Sequence, residues 1–195
     1  MSATVESRWQ EFRPRIESLS AEKQDILAIF SCARSARYYR KFCEWNPCHD
    51  PTVVPEILDS AWTSITVGRS DFKRLIPQLN ERLKKTAIKL QEFDATLATA
   101  AQEACFACQV LLEILSGKRG AAQTMRVLNF TRDITDMIVQ DQNGVAAEAK
   151  MLEDAILHNQ TMVRELEYHD SALSILTKEP LGPNTVELLK KLAQR

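Results

Sequence analysis

The segment that decides the fold is Leu97-Ala-Thr-Ala-Ala-Gln-Glu-Ala-Cys-Phe-Ala-Cys-Gln-Val-Leu-Leu-Glu-Ile-Leu115. Its apolar and small residues recur at intervals of four, three, four, three and four, at Leu97, Ala101, Ala104, Cys108, Leu111 and Leu115. That spacing follows the 3.6-residue period of an α-helix. Ser116-Gly117 follows as a stop signal. The segment therefore predicts a long helix with one face in a hydrophobic core.

The same periodicity extends in both directions along the chain. It predicts further helices over residues 5–19, 21–44, 51–67, 70–93, 120–140, 145–168 and 184–192. Ser20 is expected to cap the second helix, Asp50-Pro51 to start the third, and Asn184 with Glu187 to form a capping box for the last. Only 5 Gly and 7 Pro interrupt the chain, and no strand alternation is visible. We therefore predict an all-α fold, a single domain over residues 1–195 built as an irregular bundle of six to eight helices.

Composition and charge narrow the class of protein. A chain of 195 residues can bury a sizeable core as one domain. Its formal net charge of −1 argues against a general nucleic-acid binder. The sequence contains no run of 18 apolar residues, and its first residues lack the basic and apolar regions of a secretory signal. We expect a cytoplasmic protein with no membrane partner, whose five cysteines stay reduced.

A family resemblance rests on residues 30–65. This stretch contains Cys32, Arg34, Tyr39, Phe42-Cys43, Ile57-Leu58-Asp59 and Trp62. In these positions the chain resembles the YjaG-like family of uncharacterised bacterial proteins, the family numbered 416 among domains of unknown function. The resemblance continues through Ala104-Cys105, Leu115-Ser116-Gly117 and residues 145–166. It implies a compact, all-helical, cytosolic protein and brings with it no catalytic residue or cofactor.

Cysteines supply the first candidate site. Cys105 and Cys108 lie three residues apart on one helical face and could share a metal or act as a redox pair. Cys43, Cys48 and His49 cluster at a helix–loop junction and could complete a tetrahedral zinc site with them. The spacings match no standard zinc finger, and small cysteines are common in helix cores. Packing is the favoured interpretation, so we predict no metal and no cofactor.

Carboxylate and histidine side chains form a second candidate. Asp154 with His158 and Glu165 with His169 are pairs four residues apart. A di-iron bundle needs Glu-x-x-His motifs, which the chain lacks. These residues are therefore predicted to be solvated pairs on helix surfaces.

Basic residues on the second predicted helix form a third candidate. Arg37, Tyr38, Arg40 and Lys41 are predicted to lie on a solvated face that could contact a partner. Arg34 is adjacent to the inward side of the helix, and we predict that it forms a structural ion pair with Asp59.

No motif combines a nucleophile, a base and an orienting group, so the sequence favours a protein that is not an enzyme. We expect a cytosolic module that binds another protein, most concretely a toxin-neutralising immunity protein, because such a role needs only a complementary surface. A metal- or thiol-dependent enzyme using Cys43, Cys48, His49 and Cys105 or Cys108 is the alternative. A structural homodimer through the 97–115 or 145–166 stripe is a third hypothesis.

Overall fold

Nine α-helices and no strand are found over the residues that the computed structural model describes, which are 4–46, 50–90, 93, 95–143 and 155–195. The helices are α1 (Val5–Gln10), α2 (Phe12–Glu17), α3 (Ala21–Trp45), α4 (Val53–Val67), α5 (Ser70–Leu90), α6 (Thr96–Ser116), α7 (Ala121–Asn143), α8 (Gln160–Lys178) and α9 (Pro183–Ala193). Residues 155–158 are also helical. The predicted all-α class is confirmed.

Two helices, α3 and α6, form the centre of the bundle. α3 packs chiefly against α6 and α7 and also contacts α4, α8 and α9, while α6 also packs against α5. α6 is long and apolar enough to cross a membrane by length and composition alone, but most of it is buried inside the bundle. Its burial is that of a core helix. The predicted 97–115 stripe therefore faces the interior, so it is not available as the homodimer surface that the sequence suggested.

The N-terminal region forms two helices where the sequence predicted one over residues 5–19. α1 begins with a reciprocal cap in which Thr4 and Ser7 satisfy each other's backbone N–H groups. The chain kinks at Glu11, and Pro14 lies within α2. Pro14 has no backbone N–H, so it is compatible only with the first turn of a new helix. Pro14 thus interrupts the predicted helix, and the resulting α1 and α2 pack on α7 and α8.

The start of α4 also differs from its prediction. Thr52, not Asp50, is the N-cap residue, and the Asp50 carboxylate accepts hydrogen bonds from the Thr52 backbone N–H and hydroxyl and from Arg82 of α5. The distances are 2.8 Å to Thr52 Oγ1 and 2.7 Å to Arg82 Nε. The Arg82 guanidinium lowers the pKa of Asp50 to about 2. The helix therefore begins at Val53, after this connection between α4 and α5.

The last two helices are displaced relative to the predicted ones. A helix over residues 145–168 was expected, of which 145–154 lie outside the described residues. Within the described part, Asn159 caps a helix that continues to Lys178. The capping box of Asn184 and Glu187 is wrong as well. α9 instead begins with Pro183 at its first position, after Gly182. Proline favours that position because its fixed φ suits the helix and its missing N–H is not needed there.

Candidate functional site

The basic residues of α3 have different surroundings in the structure. Arg34 is buried at 1% exposure, and Tyr38 is also buried. Arg37 is partly buried, whereas Arg40 and Lys41 are exposed. The four residues predicted to contact a partner are thus not one solvated face. Along this part of α3 the arginines become more exposed, from Arg34 in the core through Arg37 to Arg40 at the surface.

The predicted ion pair of Arg34 with Asp59 is wrong in its partner. The guanidinium instead forms a two-pronged pair with Glu165 of α8, with 3.1 Å from Nε to Oε1 and 2.7 Å from Nη2 to Oε2. Its Nη1 also donates to the backbone carbonyl of Ala193 at 3.4 Å. Asp59 is exposed on α4. Arg34 pairs with Glu165 rather than with Asp59 because Glu165 is buried. A buried carboxylate is not solvated by water, so its charge must be paired inside the core.

Arg37 shares the same carboxylate. Its Nη2 donates to Glu165 Oε2 at 2.8 Å and to the Tyr38 hydroxyl at 3.0 Å. Burial alone would raise the pKa of Glu165, but the hydrogen bonds from Arg34 and the nearby charges lower it below its usual value. Glu165 is therefore ionised and bound by two arginines. One of these, Arg37, still reaches the molecular surface.

His169 lies one helical turn beyond Glu165 and is also fully buried, so the predicted solvated pair is wrong for these two residues. Its Nδ1 is 3.0 Å from the backbone carbonyl oxygen of Glu165, which can only accept, so Nδ1 carries a proton. Its Nε2 lies 3.1 Å from Ser31 Oγ. Burial lowers the pKa of His169 despite the nearby carboxylate. The ring is therefore neutral near pH 7, and Ser31 donates to Nε2. Of the other predicted pair, His158 is exposed, and Asp154 lies outside the described residues.

Ser31, His169 and Glu165 have the order of a hydrolase triad, with His169 Nδ1 at 3.5 Å from Glu165 Oε1. Their surroundings do not suit catalysis. All three side chains are at 0% exposure, and neither cavity described below is lined by any of them. Ser31 lies in the middle of α3, whose backbone N–H groups are used within the helix and cannot stabilise an oxyanion. The rings of Trp9, Phe12 and Phe30 surround His169. The three residues form a buried structural network.

A groove of about 510 Å³ lies where α3, α4 and α9 meet. Five basic side chains and one acidic side chain line it: Arg34, Arg37, Arg40, Lys190, Arg195 and Asp59. Leu58 and Trp62 of α4 form an apolar wall. Lys190 lies over the Trp62 ring, with Nζ 5.8 Å from the ring centroid. The groove thus combines positive charge with an apolar surface. Lys41, predicted with the others, does not line it.

A second cavity, of about 950 Å³, lies between α2 and α8. Its apolar lining includes Phe12, Val163 and Leu166. Charges at its edge compensate one another, since Arg8 pairs with Glu11 and Arg15 with Asp170. It therefore offers less to a charged ligand than the basic groove does.

The cysteines do not form a metal centre in the described part of the chain. Cys105 and Cys108 are buried in α6, and Cys43 is partly buried on α3. Burial and a hydrogen bond with the Cys108 thiol raise the pKa of Cys32 well above its usual value. No group of three potential ligands is found over these residues. The other two members of the proposed site, Cys48 and His49, lie outside the described residues.

Sequence reasoning missed Lys190 and Arg195, and it identified Glu165 and His169 as a pair but not their burial. For that burial a signal existed, because Met162, Glu165, His169, Ala172 and Leu176 recur at helical intervals and are all buried. The helix predicted from residue 145 has Val163 and Leu166 on its inward face instead. For Lys190 and Arg195 no local pattern could help, since their approach to α3 depends on how α9 packs.

The fold and groove define an all-helical domain with a basic surface depression. The chain belongs to the family described as protein of unknown function (DUF416), whose sequence profile matches residues 11–195. Its fold is similar to the crystal structure at 1.91 Å resolution of a DUF416 family protein from Shewanella baltica OS155, with a TM-score of 0.83 and 22% sequence identity. That similarity covers 94% of this chain and 93% of the other. Curated proteins show no match to the chain.

Proposed function

We propose that the chain is a cytosolic, non-enzymatic binding module that receives a segment of another protein in the groove between α3, α4 and α9. A toxin-neutralising, immunity-type role is the most concrete form of this proposal. The observation that supports it best is the excess of basic side chains in a groove whose wall is apolar. Such a surface can offer both steering by charge and burial of a side chain.

Arg40 and Lys190 are the residues best placed to bind. In the part of the chain that the structure describes, Arg40 has no ion-pair partner, so its charge is available to a ligand. Lys190 is partly buried at the opposite side, on α9. Arg34 and Arg37 are already engaged by Glu165. We propose that Arg34 and Arg37 maintain the shape of the groove.

The groove offers nothing that would perform a reaction. It is lined by arginine, lysine and apolar side chains together with Asp59 and Gln194, and this set lacks a nucleophile paired with a base. The Ser31–His169–Glu165 network lies behind Arg34, away from the groove surface. Both features support binding rather than catalysis.

Affinity capture with charge-reversed variants tests the proposal. The wild type and Lys191→Glu should capture the same stoichiometric partner from the native host, and Lys190→Glu and Arg40→Glu should lose it. Lys191 is the matched control, because it is exposed on α9, pairs with Glu187 and does not line the groove. A partner that all four proteins capture equally would place the interface elsewhere. Deleting the gene should also sensitise the host to the captured toxin, and unchanged sensitivity would remove the immunity role.

A further inference from the structure

We infer that the groove is selective for carboxylates, so that the partner presents an acidic segment of polypeptide carrying Glu or Asp side chains. This inference rests on the proposed function and names the chemistry of the segment that enters the groove.

The charge of the groove favours an anion. Arg34 and Arg37 are balanced in part by the buried carboxylate of Glu165. Arg40, Lys190 and Arg195 remain, opposed only by Asp59 among the side chains that line the groove.

Backbone geometry argues against phosphate as the preferred anion. Phosphate sites commonly use the free N–H groups at a helix N-terminus. The residue from the first turn of α4 that lines the groove is Pro55, which has no N–H. α9 presents its C-terminal end, where the Ala193 carbonyl accepts from Arg34. The negative end of a helix dipole disfavours a doubly charged ligand more than a singly charged one.

The aromatic surface argues against nucleic acid. Single strands bind by stacking bases on exposed aromatic rings. Trp62 is only 5% exposed, and Lys190 lies over its ring. Planar guanidinium groups match carboxylates and phosphates alike, but the groove volume suits one or two side chains rather than a helix or a duplex. A short acidic stretch is therefore the ligand that fits these features.

An NMR titration of the ¹⁵N-labelled full chain tests the inference. The probes are capped hexaglutamate, capped hexaglutamine, inorganic phosphate and a short oligothymidylate. We expect hexaglutamate to shift the Trp62 indole N–H signal and to saturate, while the signal of buried Trp9 serves as an internal reference. Lys190→Glu and Arg40→Gln should each weaken this binding by at least about fivefold, and Lys191→Glu by less than about twofold.

The contrary outcomes distinguish failure of the inference from failure of the proposed function. Tighter binding of phosphate or oligothymidylate would assign the groove to a different anion. Equal weakening by Lys190→Glu and Lys191→Glu would show general charge attraction. If the captured partner is lost with Lys190→Glu but hexaglutamate does not bind, the proposed function survives and the acidic segment does not. If hexaglutamate binds but no partner is captured, carboxylate selectivity stands and the protein-binding role falls.

Discussion

Replacing Arg34 by methionine should destabilise the protein strongly. Arg34 supplies two of the three hydrogen bonds from arginine to the Glu165 carboxylate, at 2.7 Å and 3.1 Å. Methionine keeps much of the volume over the Tyr168 ring, which the guanidinium approaches at 3.9 Å. The cost is therefore mainly electrostatic. Breaking a buried pair from one side costs about 3–5 kcal/mol, and we expect about 3 kcal/mol because Arg37 remains.

Urea unfolding followed by circular dichroism at 222 nm measures this change, with the m value checked for constancy. The double variant Arg34→Met/Glu165→Met is the informative partner. Since it removes both charges, we expect it to lie within about 1 kcal/mol of the wild type. Arg37→Met is the control for a partly exposed arginine on the same carboxylate, with an expected loss of about 1 kcal/mol. A loss below about 1 kcal/mol for Arg34→Met, or a double variant no more stable than the single one, would refute the reasoning.

Two further predictions concern buried groups. The pKa of His169 is lowered by burial, so below pH 6.5 the unfolded chain binds a proton that the folded one does not. The contribution of neutral His169 to stability should be fully present above that pH and fall below it by up to about 1.4 kcal/mol per pH unit in chemical unfolding curves, a slope that His169→Gln removes. Native protein treated with a thiol reagent should leave Cys32, Cys105 and Cys108 unreacted, and denaturation should expose all five thiols. Rapid reaction of all five in the native state would contradict their burial.

Helical periodicity predicted the fold class and most of the helices. The central α6 begins within one residue of its predicted start, and α3 follows Ser20, whose side chain accepts from the Lys23 N–H as expected. These features depend on neighbours three or four residues apart, which a sequence shows directly. The predicted helix boundaries were wrong where a side chain bonds to a residue distant in sequence, as Asp50 does to Arg82.

The candidate site was less predictable. Arg34 was correctly expected to form an ion pair between helices, but its partner lies 131 residues away rather than on the next helix. Asp59 and Glu165 are equally plausible when only charge is considered, and burial distinguishes them. The groove likewise depends on the docking of α9 against α3, which no local pattern encodes. Arg37 and Arg40 were identified from sequence, while Lys190 required the tertiary structure.

The long separation of Arg34 from Glu165 has a consequence for synthesis of the chain. At about 5–20 residues per second, Arg34 leaves the ribosome roughly 7–26 seconds before its carboxylate partner. The helices that cover α3, chiefly α6 and α7, also follow it in sequence. α6 and α7 are synthesised within that interval, whereas the acid that balances the buried charge arrives only at its end. We therefore expect the bundle to close around Arg34 only after α8 emerges.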